Sequence, residues 1–191
     1  MNIIERVKNI LLSPKTEWNK INTEPGSLNS LITSYTLVVA GIGAIGIFIG
    51  AALIGYHGYT APVKFALIGA LLKFICAVGT VIAGAYIAEG LAPNLGAEKD
   101  KNKSAQWAVY GFTPLCLALF LGIIPGRDTE WFIYITGFAY SLYVMYVGAP
   151  VLKKAIGDKA IPYTAVVVGA CLVVFILLDK ILERISEKIL F

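Results

Sequence analysis

The sequence predicts an all-α polytopic membrane protein, a bundle of five transmembrane helices preceded by short N-terminal amphipathic helices. Charged residues make up only 15% of the 191 residues and hydrophobic residues make up 58%, whereas soluble domains carry about 25% charged residues. Residues 25–63 contain no Asp, Glu, Lys or Arg at all. This composition excludes a soluble enzyme and a disordered protein, because both need more polar surface. The net charge of +4 is too small and scattered for binding to nucleic acid.

The charge-free runs have the length of membrane-spanning helices. A bilayer core about 30 Å thick requires about 20 apolar residues in a helix, and in lipid the backbone must satisfy its own hydrogen bonds. Apolar and polar residues do not alternate, which excludes the strands of a barrel. We therefore predict five spans, at residues 31–54, 63–91, 106–124, 131–148 and 161–178.

The predicted spans divide the chain into three parts. A cytoplasmic amphipathic segment covers residues 1–27, the five-helix transmembrane domain covers residues 28–178, and an amphipathic helical extension covers residues 179–191. Turn residues separate the spans, for example around His57 and at Pro125. The first apolar run begins too late and is too long for a cleavable signal peptide, so we expect it to remain in the mature protein.

Lysine and arginine residues favour one side of the predicted bundle. Cytoplasmic loops are enriched in these residues, which predicts a cytoplasmic N-terminus and, after five crossings, an extracytoplasmic C-terminus. Trp18, Trp107 and Trp131 fall at predicted span boundaries, where we expect their indole rings to act as interface anchors. The predicted cytoplasmic side carries Arg6, Lys8, Lys15, Lys20, Lys99, Lys101, Lys103, Lys153, Lys154 and Lys159, and the opposite loops carry Lys64 and Arg127.

Both ends of the chain show amphipathic helical patterns. Apolar residues from Ile3 to Leu11 fall on one helical face, and Ser13-Pro14 begins a second short helix that carries Trp18. These helices either anchor the chain on the inner leaflet or pack as cytoplasmic helices on the ends of the bundle. Residues 179–191 are predicted to continue the fifth helix, with docking of a partner as the alternative.

Lys73 is the one charge deep inside a predicted span, about ten residues or 15 Å from its outer end. Intramembrane lysines usually face a bundle interior or a water-filled cavity and mark functional sites. The sequence places no acidic residue at a matching depth, so we predict Tyr140 and the carbonyl region freed by Pro114 as partners. In the alternative interpretation, the long side chain snorkels to the outer surface.

Further polar groups complete the candidate intramembrane polar site. Tyr140 and Tyr143 share one stripe of the fourth span, where their hydroxyl groups either form a hydrogen-bond network or serve packing. Pro114 is predicted to kink the third helix and to free the carbonyl of Tyr110. The candidate site therefore comprises Lys73, Tyr110, Thr113, Pro114, Tyr140 and Tyr143.

Glycines in the first two spans predict close helix packing. Gly46 and Gly50 form a GxxxG pattern, which allows two helix backbones to approach closely. Gly69 and Gly84 lie on the same stripe of the second span as Lys73. The GxxxG face is predicted to pack either within the chain or in a homodimer.

The sequence shows no apparatus for catalysis or for holding a cofactor. Cys76, Cys116 and Cys171 lie inside spans and are interpreted as small apolar residues. His57 has no Cys or acidic neighbour, and a zinc site requires three or four ligands. We predict a protein that is not an enzyme and that has no metal and no cofactor, with lipid turnover as a remote alternative.

Three segments carry a family resemblance: LLSPKTEWNKI at residues 11–21 with Glu24, YGFTP at 110–114, and YSLYVMYVGAP at 140–150. They resemble the opening, the third span and the fourth span of the Yip (Ypt/Rab-interacting protein) domain family, which also has five spans and a cytoplasmic N-terminus. In eukaryotes this family implies proteins of the endoplasmic reticulum and Golgi that bind Rab-type GTPases and assist vesicle traffic.

The sequence departs from the eukaryotic members of that family in two ways. Its N-terminal tail is only about 27 residues long and lacks the Asp-Leu-Tyr-Gly-Pro signature before the first span. The resemblance is therefore to the short prokaryotic members, which implies the cytoplasmic (inner) membrane of a prokaryote and does not predict GTPase binding.

These observations predict a non-enzymatic role, in which the protein organises the lipid bilayer or holds a membrane or cytoplasmic partner protein. The working parts would be the N-terminal helices and the loops at residues 90–103 and 153–159. The alternative is a small transporter or channel whose path passes Lys73 and the tyrosines of the fourth span. A scaffold is expected to tolerate Lys73→Met or to gain stability, whereas a transporter should lose flux.

Overall fold

The computed structural model describes residues 2–55, 59–124 and 126–190. Its two N-terminal helices are α1 (Ile3–Leu12) and α2 (Pro14–Thr23). His57, Pro125 and Phe191 lie outside the described residues. The helices that follow are α3 (Leu28–Ile54), α4 (Val63–Leu91), α5 (Lys101–Ile123), α6 (Arg127–Leu152) and α7 (Ala160–Leu190).

The helices α3 to α7 confirm the prediction of an all-α bundle with five spans. Each of the five is long and apolar enough to cross a membrane. The helix α3 begins at Leu28 and contains two wider π-helical turns, at Ile32–Thr36 and Gly50–Ile54. The helix α7 continues without a break past residue 178 to Leu190.

The third span, α5, is the central helix of the bundle. In its most apolar part, 72% of the residues are buried, against 28% to 44% in the other four spans. It contacts α3, α4 and α6, whereas α4 packs chiefly against α7. Its polar side chains Ser104, Gln106 and Thr113 are all buried, so protein rather than lipid surrounds them.

The helix α5 is interrupted at Phe112, two residues before the proline predicted to kink it. Its first part is Lys101–Gly111, and a second helical segment, Thr113–Ala118, continues into the 3₁₀ turn Leu119–Ile123. Pro114 lies in the first turn of the second segment, where its missing N–H costs no helical hydrogen bond. The span therefore consists of two helical pieces, with Pro114 at the start of the second.

The GxxxG pattern of α3 packs within the chain, against the far part of α5. A Cβ atom at Gly46 would lie 2.3 Å from the carbonyl oxygen of Phe120, and one at Gly50 would lie 2.1 Å from that of Gly122. Gly43, which the sequence analysis did not single out, makes the same kind of approach to the carbonyl oxygen of Cys116. Only glycine allows the two backbones to come this close.

The two glycines predicted to pack in the second span differ. A Cβ atom at Gly84 would lie 2.8 Å from the ring of Phe112 and 3.2 Å from the sulfur of Cys171. At Gly69 a Cβ atom would meet nothing within 4 Å. The prediction of close packing at Gly69 is therefore wrong, because no neighbouring atom comes near enough to require a glycine there.

This difference gives a stability test with a matched control. We expect Gly46→Ala to lower the free energy of unfolding by about 1–3 kcal/mol, because the added methyl group meets backbone that can only move as a unit. Gly69→Ala should leave stability unchanged or raise it by about 1 kcal/mol, since alanine stabilises a helix relative to glycine and the added methyl group meets no neighbour. Thermal unfolding of both variants in detergent micelles checks this, and equal stabilities would contradict the packing.

Candidate functional site

The helices α1 and α2 form a helical hairpin, here called the N-terminal hairpin, that packs against α5 and α6. The indole ring of Trp18 is fully buried, and its N–H donates to the carbonyl of Val144 at 2.9 Å. A Cβ atom at Gly148 would lie 2.5 Å from this ring, so the glycine creates the groove in α6 that holds the indole.

Two of the three predicted interface anchors are instead interior residues. Trp107 is as fully buried as Trp18, donates its N–H to the carbonyl of Met145 at 2.9 Å, and stacks on Tyr163. The prediction fails for both because their N–H groups find backbone acceptors inside the protein, so the rings need no water-exposed edge. Trp131 is 50% exposed, as a ring at a membrane surface would be.

A buried ion-pair network holds the hairpin together. The guanidinium of Arg6 donates to Glu17 at 2.6 Å and to Glu24 at 2.6 Å, and it lies 5.3 Å from the ring centre of Tyr110. Burial by itself would lower the pKa of Arg6, but the hydrogen bond and charge of Glu24 outweigh it and raise the pKa above its usual value. The arginine therefore stays charged and links α1, α2 and α5.

The loops at the same end of the bundle are joined to the hairpin. Lys103 donates to the carbonyl of Asn22 at 2.6 Å, and Gln106 donates to that of Glu24 at 2.8 Å. The amide of Glu98 donates to the carbonyl of Lys153 at 2.6 Å. We call the N-terminal hairpin and the loops 92–100 and 153–159 the hairpin end, and the opposite end of the bundle the far end.

Lys153 is fully buried at the hairpin end, between α4 and α5. Its ammonium group donates to Ser104 at 2.6 Å and lies 3.7 Å from Glu89, to which Ser104 itself donates at 2.8 Å. Burial lowers the pKa of Lys153, and the charge of Glu89 opposes part of that effect. This network fixes the start of the 153–159 loop.

A third charged cluster lies toward the far end, where the side chain of Lys73 links three helices. Its ammonium group donates to Asp179 of α7 at 2.7 Å and contacts Glu130 of α6 at 2.9 Å. It also lies 5.1 Å from the ring centre of Tyr134, whose hydroxyl donates to Glu130. We call these four residues the Lys73 cluster. They line a cleft of about 370 Å³ together with Trp131, Lys180 and Glu183.

The predicted partners of Lys73 are therefore wrong. Glu130 and Asp179 were placed beyond the ends of their spans, but α4 begins about ten residues before Lys73 whereas α6 begins only about three residues before Glu130. This axial offset brings the three groups to one level. Since two carboxylates hold the ammonium group, the side chain has no need to snorkel to water.

The other predicted polar residues lie in two further places. The hydroxyl of Tyr140 donates to the carbonyl of Leu11 at 2.6 Å, and its ring stacks on Tyr143 at the surface of α6. The hydroxyl of Thr113 lies 2.9 Å from that of Tyr35, a buried residue of α3 that the sequence analysis missed. Tyr110 contacts Tyr35 edge-on, and Pro114 is buried beside Thr113. The six candidates therefore form three separate sites.

The described residues contain no group of three or more His, Cys, Asp or Glu side chains that could hold a metal ion. Cys76, Cys116 and Cys171 are free and buried. The largely buried basic side chains among these residues, Arg6, Lys73 and Lys153, form ion pairs between helices.

Five apolar helices, four of them around a central broken span, define an integral membrane protein with a helical hairpin docked at one end. A family model described as the Yip1 domain matches residues 8–178. The chain therefore belongs to the Yip1 domain family, which confirms the family that the sequence motifs indicated. Comparisons with curated proteins and with solved structures found no match.

Proposed function

We propose that this protein has a non-enzymatic role, in which the hairpin end organises the membrane or holds a partner protein. The observation that carries the proposal is the joining of three segments, distant in sequence, into one surface. Lys103, Glu98 and Lys153 connect the hairpin and both loops through the hydrogen bonds described above. A surface held in one conformation binds a partner without the entropy cost of ordering loops.

The hairpin end also has the composition of an interaction surface. Ile156, in the 153–159 loop, is an apolar side chain that is 72% exposed. Lys154 and Lys159 lie near it, and Lys154 pairs with Glu98 at 2.7 Å. Exposed apolar patches rimmed by polar residues mark protein contacts, and we propose Ile156 as the apolar part of such a patch. The lysines favour a cytoplasmic position of the hairpin end. The resemblance to short prokaryotic members favours the inner membrane of a prokaryote. The partner would then be a protein of the cytoplasm or of the same membrane.

Photo-crosslinking from Ile156 tests the proposal in native membranes. We expect a photoreactive amino acid at position 156 to capture one or a few specific proteins. The matched control is position 59 at the far end, because Tyr59 is also highly exposed, at 84%. Purified wild-type protein should compete with the capture, and purified Ile156→Asp should not. A homodimer would appear as an adduct of twice the chain mass.

The outcome against the proposal is equally specific. If positions 156 and 59 capture the same proteins, or if Ile156→Asp competes as well as the wild type, the hairpin end is not a binding surface. Neither result depends on knowing the partner beforehand.

The alternative, a small transporter or channel, is favoured by one observation, the polar cleft of about 370 Å³ at the Lys73 cluster. Acidic and basic groups in such a cleft are typical of ion and substrate pathways. Tyr140 and Tyr143 lie apart from this cleft, so the path would have to use Tyr134 instead.

A further inference from the structure

The N-terminal hairpin lies along the side of a membrane-spanning helix and does not cap its end. The hydroxyl of Tyr140 holds the carbonyl of Leu11, and the carbonyl of Val144 holds the indole of Trp18. Tyr140 lies about 12 residues before the end of α6 at Leu152, which corresponds to about 18 Å along the helix. The bilayer surface that the hairpin would meet therefore lies along the side of α6, near the level of Tyr140 and not at the end of the helix.

Large apolar side chains lie on the outer face of α1. Ile4 is 81% exposed and Leu12 is 72% exposed. Together with Lys8, they follow a spacing of four residues, which places all three within one stripe of the helix. Leaving two such side chains in water costs about 1.5–3 kcal/mol each relative to full burial, so this face favours an apolar environment.

The fold also sorts the charges of the hairpin into an inner and an outer set. Arg6, Glu17 and Glu24 pair with one another on the inner side. The exposed side chains are then three lysines and one acid, so the outer face is positive although the whole segment is nearly neutral. These four residues are Glu5, Lys8, Lys15 and Lys20.

We propose that the outer face of the N-terminal hairpin binds the anionic headgroup layer of the protein's own bilayer. Ile4 and Leu12 enter the boundary of the acyl chains, and Lys8 and Lys15 contact lipid phosphates. An interfacial helix of this kind combines apolar burial with attraction to anionic lipid. This inference does not depend on the partner proposed above, because Ile156 lies on a different segment.

Spin labels on the purified full chain test this placement. Ile4→Cys and Leu12→Cys variants would be labelled and reconstituted in vesicles of phosphatidylcholine, with or without phosphatidylglycerol. Collision of the label with oxygen and with a water-soluble nickel chelate then reports its depth. Val173, exposed in the middle of α7, serves as the lipid reference, and Asp158, exposed at the hairpin end, serves as the water reference. The native cysteines are buried, and the wild type should take up no label.

We expect labels at positions 4 and 12 to be protected from the nickel chelate several-fold more than the label at position 158. The protection should increase with phosphatidylglycerol, and Lys8→Gln with Lys15→Gln should remove that increase. Nickel access equal to that at Asp158, or protection that does not respond to anionic lipid, would overturn the proposal. Since no other protein is present, only the bilayer or a second copy of the chain could protect these positions, and a second copy would not make the protection depend on phosphatidylglycerol.

Discussion

Replacing Lys73 by methionine should lower the free energy of unfolding by about 3 kcal/mol. The substitution leaves Asp179 and Glu130 facing each other without the cation that both contact, at 2.7 Å and 2.9 Å. Removing one partner of a buried ion pair costs about 3–5 kcal/mol, and the lower end applies because Glu130 is half exposed. Unfolding of the purified variant in detergent micelles measures the loss. This expectation reverses the tolerance that the sequence alone predicted.

The matched control removes the two carboxylate charges together with the charge of the lysine. We expect the triple variant Lys73→Met, Glu130→Gln and Asp179→Asn to recover most of the lost stability, because neutral groups carry a smaller desolvation cost. A triple variant as unstable as the single one would show that packing of the lysine stem, and not its charge, matters.

The same triple variant separates the two proposed functions. In native membranes, the triple variant with a photoreactive residue at position 156 should still capture the same proteins if the hairpin end is the working surface, and its flux is measured separately after reconstitution in liposomes. A transporter that used the cleft would lose flux of its substrate while remaining folded. The scaffold is favoured if the triple variant still binds its partner and if neither the variant nor the wild type shows flux.

The number and positions of the spans could be predicted because the bilayer acts on each segment separately. An uncharged run as long as residues 25–63 has few stable structures other than a membrane-spanning helix. The central position of α5 was not predicted, although Gln106 and Thr113 are polar residues inside its predicted span. Polar side chains at that depth favour contact with protein over contact with lipid.

The Lys73 cluster could not be predicted because it depends on the axial offset between helices. Hydrophobic pattern places each helix in the membrane but leaves it free to shift by several residues along its axis. The offset is set by packing, for example by the close approach of Gly84 in α4 to Cys171 in α7. The sequence nonetheless held one indication. Glu130 and Asp179 lie directly next to two predicted spans, on the same side of the membrane as the nearer end of the span that contains Lys73.

The docking of the N-terminal hairpin was left open for a related reason. An amphipathic pattern shows that one face of a helix is buried, but a membrane surface and a protein groove satisfy it equally. The groove at Gly148 that receives Trp18 forms only when α2 and α6 meet. The structure therefore shows the apolar face of α1 and α2 in contact with protein, whereas Ile4 and Leu12 stay exposed on the outer side of the hairpin.

Removing the guanidinium of Arg6 should release the hairpin from the bundle. In Arg6→Met the buried carboxylate of Glu17, only 3% exposed as a residue, loses its cation, and Glu24 loses its link to α1. The expected cost is about 3 kcal/mol, equivalent to roughly a hundred-fold shift of the docking equilibrium. Amide hydrogen exchange across residues 3–23 should accelerate by a similar factor, while the amides of α4 and α7 should exchange as in the wild type.

Lys20→Met provides the control for this prediction. Lys20 lies 3.5 Å from the same carboxylate but is 63% exposed, and exposed pairs contribute about 0–1 kcal/mol. Its exchange should therefore change by less than about five-fold. If both variants accelerate exchange equally, the charge of the segment and not the buried network holds the hairpin. If exchange accelerates in the spans as well, the hairpin is a required part of the bundle and cannot open separately.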